Sequence, residues 1–179
     1  SKMICTYILS KRTVQIEKSL IKQGGRLQGM KKIKLLSMRI QNFKGCKDRT
    51  IEFEDKTRIS GANATGKTTI FDAFTFLLFN RDSLGNTDFD IRPLDADGKM
   101  IDNIEISVKA RISVDNDEYE LKKVQKQKWV KKRGTDTREF QGNVNEFEIN
   151  GYPKSQKDFK DFISGIVDED VFNMITNPN

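Results

Sequence analysis

Residues 57–79 read TRISGANATGKTTIFDAFTFLLF, and this stretch decides the fold. Within it, Gly61-Ala62-Asn63-Ala64-Thr65-Gly66-Lys67-Thr68 satisfies the pattern G-x-x-x-x-G-K-[ST]. With glycine near 7% of residues in ordinary proteins, a random chain of this length shows the pattern on the order of once in a few hundred cases. The flanks raise its weight. Residues 57–60 read as a short strand, and residues 68–79 are apolar nearly all round, the mark of a buried helix. A strand, a glycine-bearing loop and a helix in that order form a cradle for phosphate. The loop turns its backbone N–H groups toward one point at the positive end of the helix. Gly61 and Gly66 permit the turn and the close approach of backbone to ligand. Lys67 is set to reach β- and γ-phosphates, and the Thr68 hydroxyl to ligate Mg²⁺.

Around this motif, composition narrows the chemistry. The chain has 179 residues, enough for one domain with its own core; 36% are apolar and 32% charged. It contains no histidine, which removes His-based triads, bases and metal ligands. Two cysteines, Cys5 and Cys46, are too few for a disulfide framework or a four-thiolate zinc site. The apolar run 73–79 is too short to span a bilayer, and residues 3–9 lack the small-residue cleavage site of a signal peptide. These features predict a cytoplasmic protein with no membrane partner. No Asn-Lys-x-Asp run is present to read guanine, and no Ser-Gly-Gly signature run. The nearest approach to an apolar run ending in a magnesium-binding Asp is 112–115. It is poor, because Ser113 interrupts it and Asn116 follows; a hairpin turn is the simpler reading.

Charge is uneven along the chain. The net charge is +6, yet residues 1–32 carry eight Lys or Arg against one acid, and residues 122–138 carry eight against one. Two basic segments thus sit on a mildly acidic body, a distribution that attracts polyanions. Residues 1–29 read as a separate amino-terminal extension: a short strand over 3–9, a helix over 13–22, then Gly24, Gly25 and Gly29. From Met30 the pattern becomes strand-rich, with strands over 32–40, 50–53 and 57–60, one or two strands over 101–114, and strands over 119–129 and 140–149. Residues 115–117 form a turn, Asn150-Gly151 marks a hairpin, and Ser155 with Asp158 opens a helix over 156–166. A last helix is expected over 168–175.

Residues 32–79 resemble the opening of the SbcC, SMC and RecF group of DNA-repair ATPases. The match rests on Asn42-Phe43-Lys44, Asn63, Gly66-Lys67-Thr68-Thr69 and Asp72-Ala73; residues 76–79 with Arg81-Asp82-Ser83, and Ile149-Asn150-Gly151 before a helix, resemble the SbcC-like branch of bacteria and their phages. The resemblance implies an α/β fold: a P-loop NTPase half-domain, the ABC-ATPase-like amino-terminal lobe, with a β-rich antiparallel part beside the P-loop strand and helix. It implies ATP and Mg²⁺ as cofactors, held by Gly61, Asn63, Ala64, Thr65, Gly66, Lys67, Thr68 and Thr69, with Lys44 near the phosphates and Asn63 near the γ-phosphate. Ala64 stands where the family usually has Gly. Asp72 is expected to act by its charge on the first turn of the helix, or else in the surroundings of the magnesium. In the family, a Gln after the last helix of this lobe reaches the metal and the attacking water. Here the matching stretch is Thr176-Asn177-Pro178; either Asn177 substitutes or the correspondence shifts.

The resemblance also implies parts outside these residues. The signature, Walker B and catalytic Glu lie in a carboxy-terminal lobe, across a long coiled coil. Residues 30–179 therefore read as one lobe ending before that coil. Its partners would be its own carboxy-terminal lobe, a second head, DNA and a nuclease subunit. Two other readings stay open: a nucleotide-gated interaction module that does not hydrolyse ATP, and an ATPase subunit of another ABC-type machine. For contact with DNA the candidates are Lys122, Lys126 and Lys128, which share one face of a strand with Val124, and Lys131, Lys132 and Arg133 at the turn. Trp129 lies nearby as a stacking or core residue. For residues 1–29 the readings are an upstream in-frame extension, a helix packed on the lobe, or a transit peptide.

Overall fold

The computed structural model describes residues 7–10, 14–15, 32–53, 56–59 and 67–167. Its elements run β1 (Tyr7–Ser10), β2 (Val14–Gln15), β3 (Lys32–Phe43), β4 (Cys46–Glu52), β5 (Lys56–Ile59), α1 (Lys67–Phe79), β6 (Ile106–Val114), β7 (Asp117–Lys131), β8 (Arg138–Ile149), β9 (Tyr152–Lys154) and α2 (Gln156–Ile166). One sheet has the order β2-β3-β6-β7-β8-β9, with β4 also paired to β3, and β5 pairs with β1 in a second, two-stranded sheet. Every pairing among the described residues is antiparallel.

Alternation explains why the large sheet has two unlike faces. Along β6, Ile106, Val108, Ala110 and Ile112 are buried, while Lys109 and Arg111 point the other way. The apolar face is covered by both helices. From α1, Ile70, Ala73, Phe76 and Leu77 are buried against it; from α2, Phe159 and Ile163. Aromatic pairs lock the contact: Phe43 with Phe76 at 5.5 Å, Phe147 with Phe159 at 5.0 Å, Tyr119 with Phe162 at 5.1 Å between ring centroids. The opposite face carries cross-strand ion pairs, among them Arg39–Asp48, Lys109–Glu120, Arg111–Glu118 and Lys122–Glu148. A sheet with one covered and one solvated face is the antiparallel pattern.

Local chemistry sets several element ends as the sequence predicts. Ser155 caps α2, its hydroxyl oxygen accepting from the Asp158 N–H at 3.1 Å and its O–H donating to the Asp158 carboxylate at 2.7 Å. Asn150 and Gly151, with φ 53° and 77°, make the turn between β8 and β9. Asp115, with φ 58°, sits in the tight turn joining β6 to β7. Residues 112–114 thus end β6 and Asp115 opens the turn, the hairpin reading of this stretch.

Two expectations are corrected. Val14 and Gln15 form a strand against Ile33 and Lys32, where a helix over 13–22 is expected; Val14 and Ile16 alternate as a strand does, and the start of β3 offers a pairing edge. Residues 16–22 lie outside the described residues, as does the expected helix over 168–175. Strand β6 also begins at Ile106, not near 101. Before it, the Asn103 N–H donates to Gln127 Oε1 at 2.6 Å, and Asp102 pairs with Arg92 at 3.0 Å. These side-chain ties compete with a backbone ladder.

Candidate functional site

Lys67 is the first residue of α1, so the Lys67-Thr68 end of the G-x-x-x-x-G-K-T run opens the buried helix. Residues 61–66, and the side chain of Lys67, lie outside the described residues. Thr68 is exposed and Thr69 half-buried at the start of the helix. Asn177 also lies outside the described residues. Among the described residues no cluster of three or more acidic or Cys groups is arranged to hold a metal.

The Asn42-Phe43-Lys44 run performs three separate tasks. Asn42, at φ 53°, donates its side-chain amide to the Glu105 carbonyl at 2.9 Å. Phe43 is fully buried against Phe76 of α1. Lys44 is left-handed at φ 51°, a conformation that costs a non-glycine residue about 1 kcal/mol. It is held there by its N–H, which donates to the Ile91 carbonyl at 2.7 Å, and by its ammonium, which meets the Asp72 carboxylate at 2.6 Å. Lys44 is thereby fixed beside the second turn of the helix that Lys67 begins.

Asp72 corrects the expectation placed on it. The first turn of α1 has no acidic residue; Asp72 lies one turn further in and is 3% exposed. Its second oxygen accepts from the Ser83 N–H at 2.8 Å. It is a buried anchor joining the β3–β4 turn, α1 and the segment after α1. The pattern gives one signal for this, since a charged residue inside an otherwise apolar helix needs a partner.

A second buried charge, Lys123, escapes the sequence reading. It sits on the covered face of β7 between Leu121 and the end of α1, at 1% exposure. Its ammonium donates to the Phe76 carbonyl at 3.1 Å and to the Asn80 side chain, and lies 3.7 Å from the Phe76 ring centre. Helix α1 has no basic residue in its last turn, so the sheet provides the cation that its carbonyl end favours. Burial nevertheless lowers the Lys123 pKa from 10.5 to about 7. An unfolded chain keeps this proton up to about pH 10.5, whereas the folded one releases it near 7. Between those limits the unfolded state binds more protons, so stability is expected to rise with pH, by at most about 1.4 kcal/mol per unit. Chemical denaturation at pH 7, 8 and 9 measures the slope, and Lys123→Met should flatten it. A slope of opposite sign would show the ammonium to be the form that folding selects.

A cavity of about 280 Å³ adjoins Lys123, bordered by Asn80, Arg81, Phe159, Lys160 and Ser164. It lies at the far end of α1 from Lys67, roughly 18 Å away at 1.5 Å per residue, and so is not the phosphate cradle.

The basic segment lies in the β7–β8 hairpin, and four of its eight cations form ion pairs among the described residues. Lys122 meets Glu148, Lys126 meets Glu105 and Glu146, Lys131 meets Asp136, and Lys132 meets Glu139. Lys128 and Arg133 form no ion pair among the described residues. Lys122 and Lys126 flank Val124 on the solvated face, as alternation requires. Most of these pairs are exposed and of the kind worth well under about 1 kcal/mol.

A family model described as AAA domain matches residues 37–177. No curated protein matches the sequence. Among solved structures, the chain is similar to one from a study of ATP-driven dimerization and DNA-stimulated activation of SMC ATPases, at 18% identity, covering 78% of this chain and 83% of that one, with a TM-score of 0.56. It also matches the ATP-bound recombination mediator RecF at 17% identity and a TM-score of 0.46, covering 69% of this chain and 29% of that one. What is shared with the SMC ATPase is the fold: an open antiparallel sheet with helices, of the P-loop NTPase type. Among the described residues, no helix is long and apolar enough to cross a membrane.

Proposed function

Because the chain belongs to the AAA domain family, we propose that it is the Mg²⁺-ATP-binding amino-terminal lobe of an SbcC- or SMC-like ATPase acting on DNA ends. The observation that carries this reading is the G-x-x-x-x-G-K-T run between strand β5 and helix α1, with its lysine at the first helical position. In the lobe, Gly61, Asn63, Ala64, Thr65, Gly66 and Thr69 surround the phosphates, Lys67 neutralises the β- and γ-oxygens, and Thr68 holds Mg²⁺. Lys44, tethered to Asp72, sets the charge beside the second turn of the same helix. Residues 30–179 form the lobe and residues 1–29 an extension to it. The proposed role is in double-strand break repair or end processing. Hydrolysis requires a carboxy-terminal lobe and a second head, which bring the water-activating groups, with Asn177 in the place of the metal-contacting Gln. The basic hairpin contacts DNA phosphates through Lys122, Lys126, Lys128, Lys131, Lys132 and Arg133, independently of sequence and sensitively to salt.

Turnover measurements test the division of labour. The chain alone should bind ATP and release no phosphate above background. Robust hydrolysis by the pure chain would overturn the requirement for a second lobe. ATP binding with no stimulation by any carboxy-terminal lobe would favour the nucleotide-gated interaction module.

A further inference from the structure

The outer half of the β7–β8 hairpin stands apart from the sheet. Pairing of β6 with β7 ends at Gln125, and β9 meets β8 only over residues 147–149. Residues 126–144 therefore form a two-stranded arm with no third strand. Such an arm is marginal unless its side chains pair across it.

A bulge makes that pairing. From Gln127↔Asn143 to Trp129↔Phe140, β7 advances two residues and β8 three, and Gly142 at φ 97° absorbs the extra one. Phe140 is thereby brought opposite Trp129, with ring centroids 5.5 Å apart and planes at 54°. Phe140 stays 49% exposed. Trp129 is oriented by its Nε1–H, which donates to Gln127 Oε1 at 3.4 Å, and Gln127 is held by Asn103 and Asp102.

Cations flank the aromatic pair on the same side. The register continues Val130↔Glu139 and Lys131↔Arg138, so Lys131 and Arg138 share the face of Trp129 and Phe140. Residues 126–140 contain six basic and two acidic groups. The Lys131 partner, Asp136, is fully exposed, so the pair exchanges readily for a phosphate. A hairpin needing only internal glue has no use for a half-open aromatic surface between cations.

We propose that the Trp129–Phe140 pair is a stacking platform for unpaired nucleic-acid bases, with Lys131 and Arg138 taking the flanking phosphates. The proposal deepens the reading of the chain as a lobe acting on DNA ends and rests on it. A duplex hides its base faces and offers only phosphates, whereas a single strand offers both. The arm thus prefers frayed or single-stranded segments.

Trp129 is the chain's one tryptophan, so its fluorescence reports the site directly. An oligothymidylate titrated into the full chain should quench it, and a duplex with hairpin-closed ends should not. Phe140→Ala should weaken single-strand binding about ten-fold, the loss of one base–aromatic stack, and leave duplex binding unchanged. Phe140→Leu keeps the apolar cross-strand contact and should lose as much, which separates stacking from folding of the arm. Reversing Lys131 and Arg138 to Glu should weaken both ligands. Single-strand binding without quenching, or equal losses for both ligands in the Phe140 variants, would overturn the platform while leaving a phosphate-binding arm. Equal quenching by polyglutamate would point to an acidic polypeptide and overturn it too. ATP binding measured on the same samples keeps the nucleotide assignment separate: its failure with quenching intact would strike the ATPase reading alone.

Discussion

Lys67→Ala is expected to abolish ATP binding while leaving the fold intact. Lys67 is the one cation of the G-x-x-x-x-G-K-T run, and hydrogen bonds between charged partners are each worth about 1.5–3 kcal/mol. Losing two of them, to the β- and γ-phosphates, weakens binding by roughly a hundred-fold or more. Stability should hardly change, because Lys67 opens α1 and alanine is the best helix former. Calorimetric titration with Mg²⁺-ATP, beside a thermal melt, checks both halves. Tight binding by the variant would sink the assignment of 61–69 as the nucleotide cradle. Thr68→Ala should instead weaken the magnesium dependence of binding, since it removes only the hydroxyl.

Asp72→Ala is expected to damage the protein from inside. The carboxylate is 3% exposed and holds the Lys44 ammonium and the Ser83 N–H. Breaking a buried pair by removing one partner costs about 3–5 kcal/mol. The Lys44 side chain is 31% exposed, so water recovers part of the loss and about 2–3 kcal/mol is expected. At about 2–4 °C per kcal/mol, Tm should fall by roughly 5–10 °C. Asp72→Asn should fall less, because the amide still fills the site and its single oxygen keeps one of the two donors that the carboxylate serves with separate oxygens. If Asp72 acted only through its charge near the helix start, the loss would be about 0.3–1 kcal/mol and the two variants would be alike. ATP affinity should drop with the melt, since the left-handed Lys44 loses the partner that fixes it.

The sequence alone was enough for the features that local chemistry dictates. The G-x-x-x-x-G-K-T pattern needs glycines at fixed spacing beside a lysine, so the pattern is visible without a fold. The apolar run of α1, the Ser155 cap of α2 and the Asn150-Gly151 turn are legible for the same reason, since each rests on neighbours within four residues. Period-two alternation likewise placed Lys122 and Lys126 on one strand face with Val124. The tertiary structure decided whatever depends on a distant partner. Asp72 looks like a helix-start charge until Lys44 and Ser83 are placed against it. Lys123 looks like one lysine among many until the end of α1 settles on it and excludes water. The bulge at Gly142, which sets Phe140 opposite Trp129, changes register by a single residue. Alternation within one strand carries no mark of that shift, because register is a relation between two strands and is fixed only when they pair.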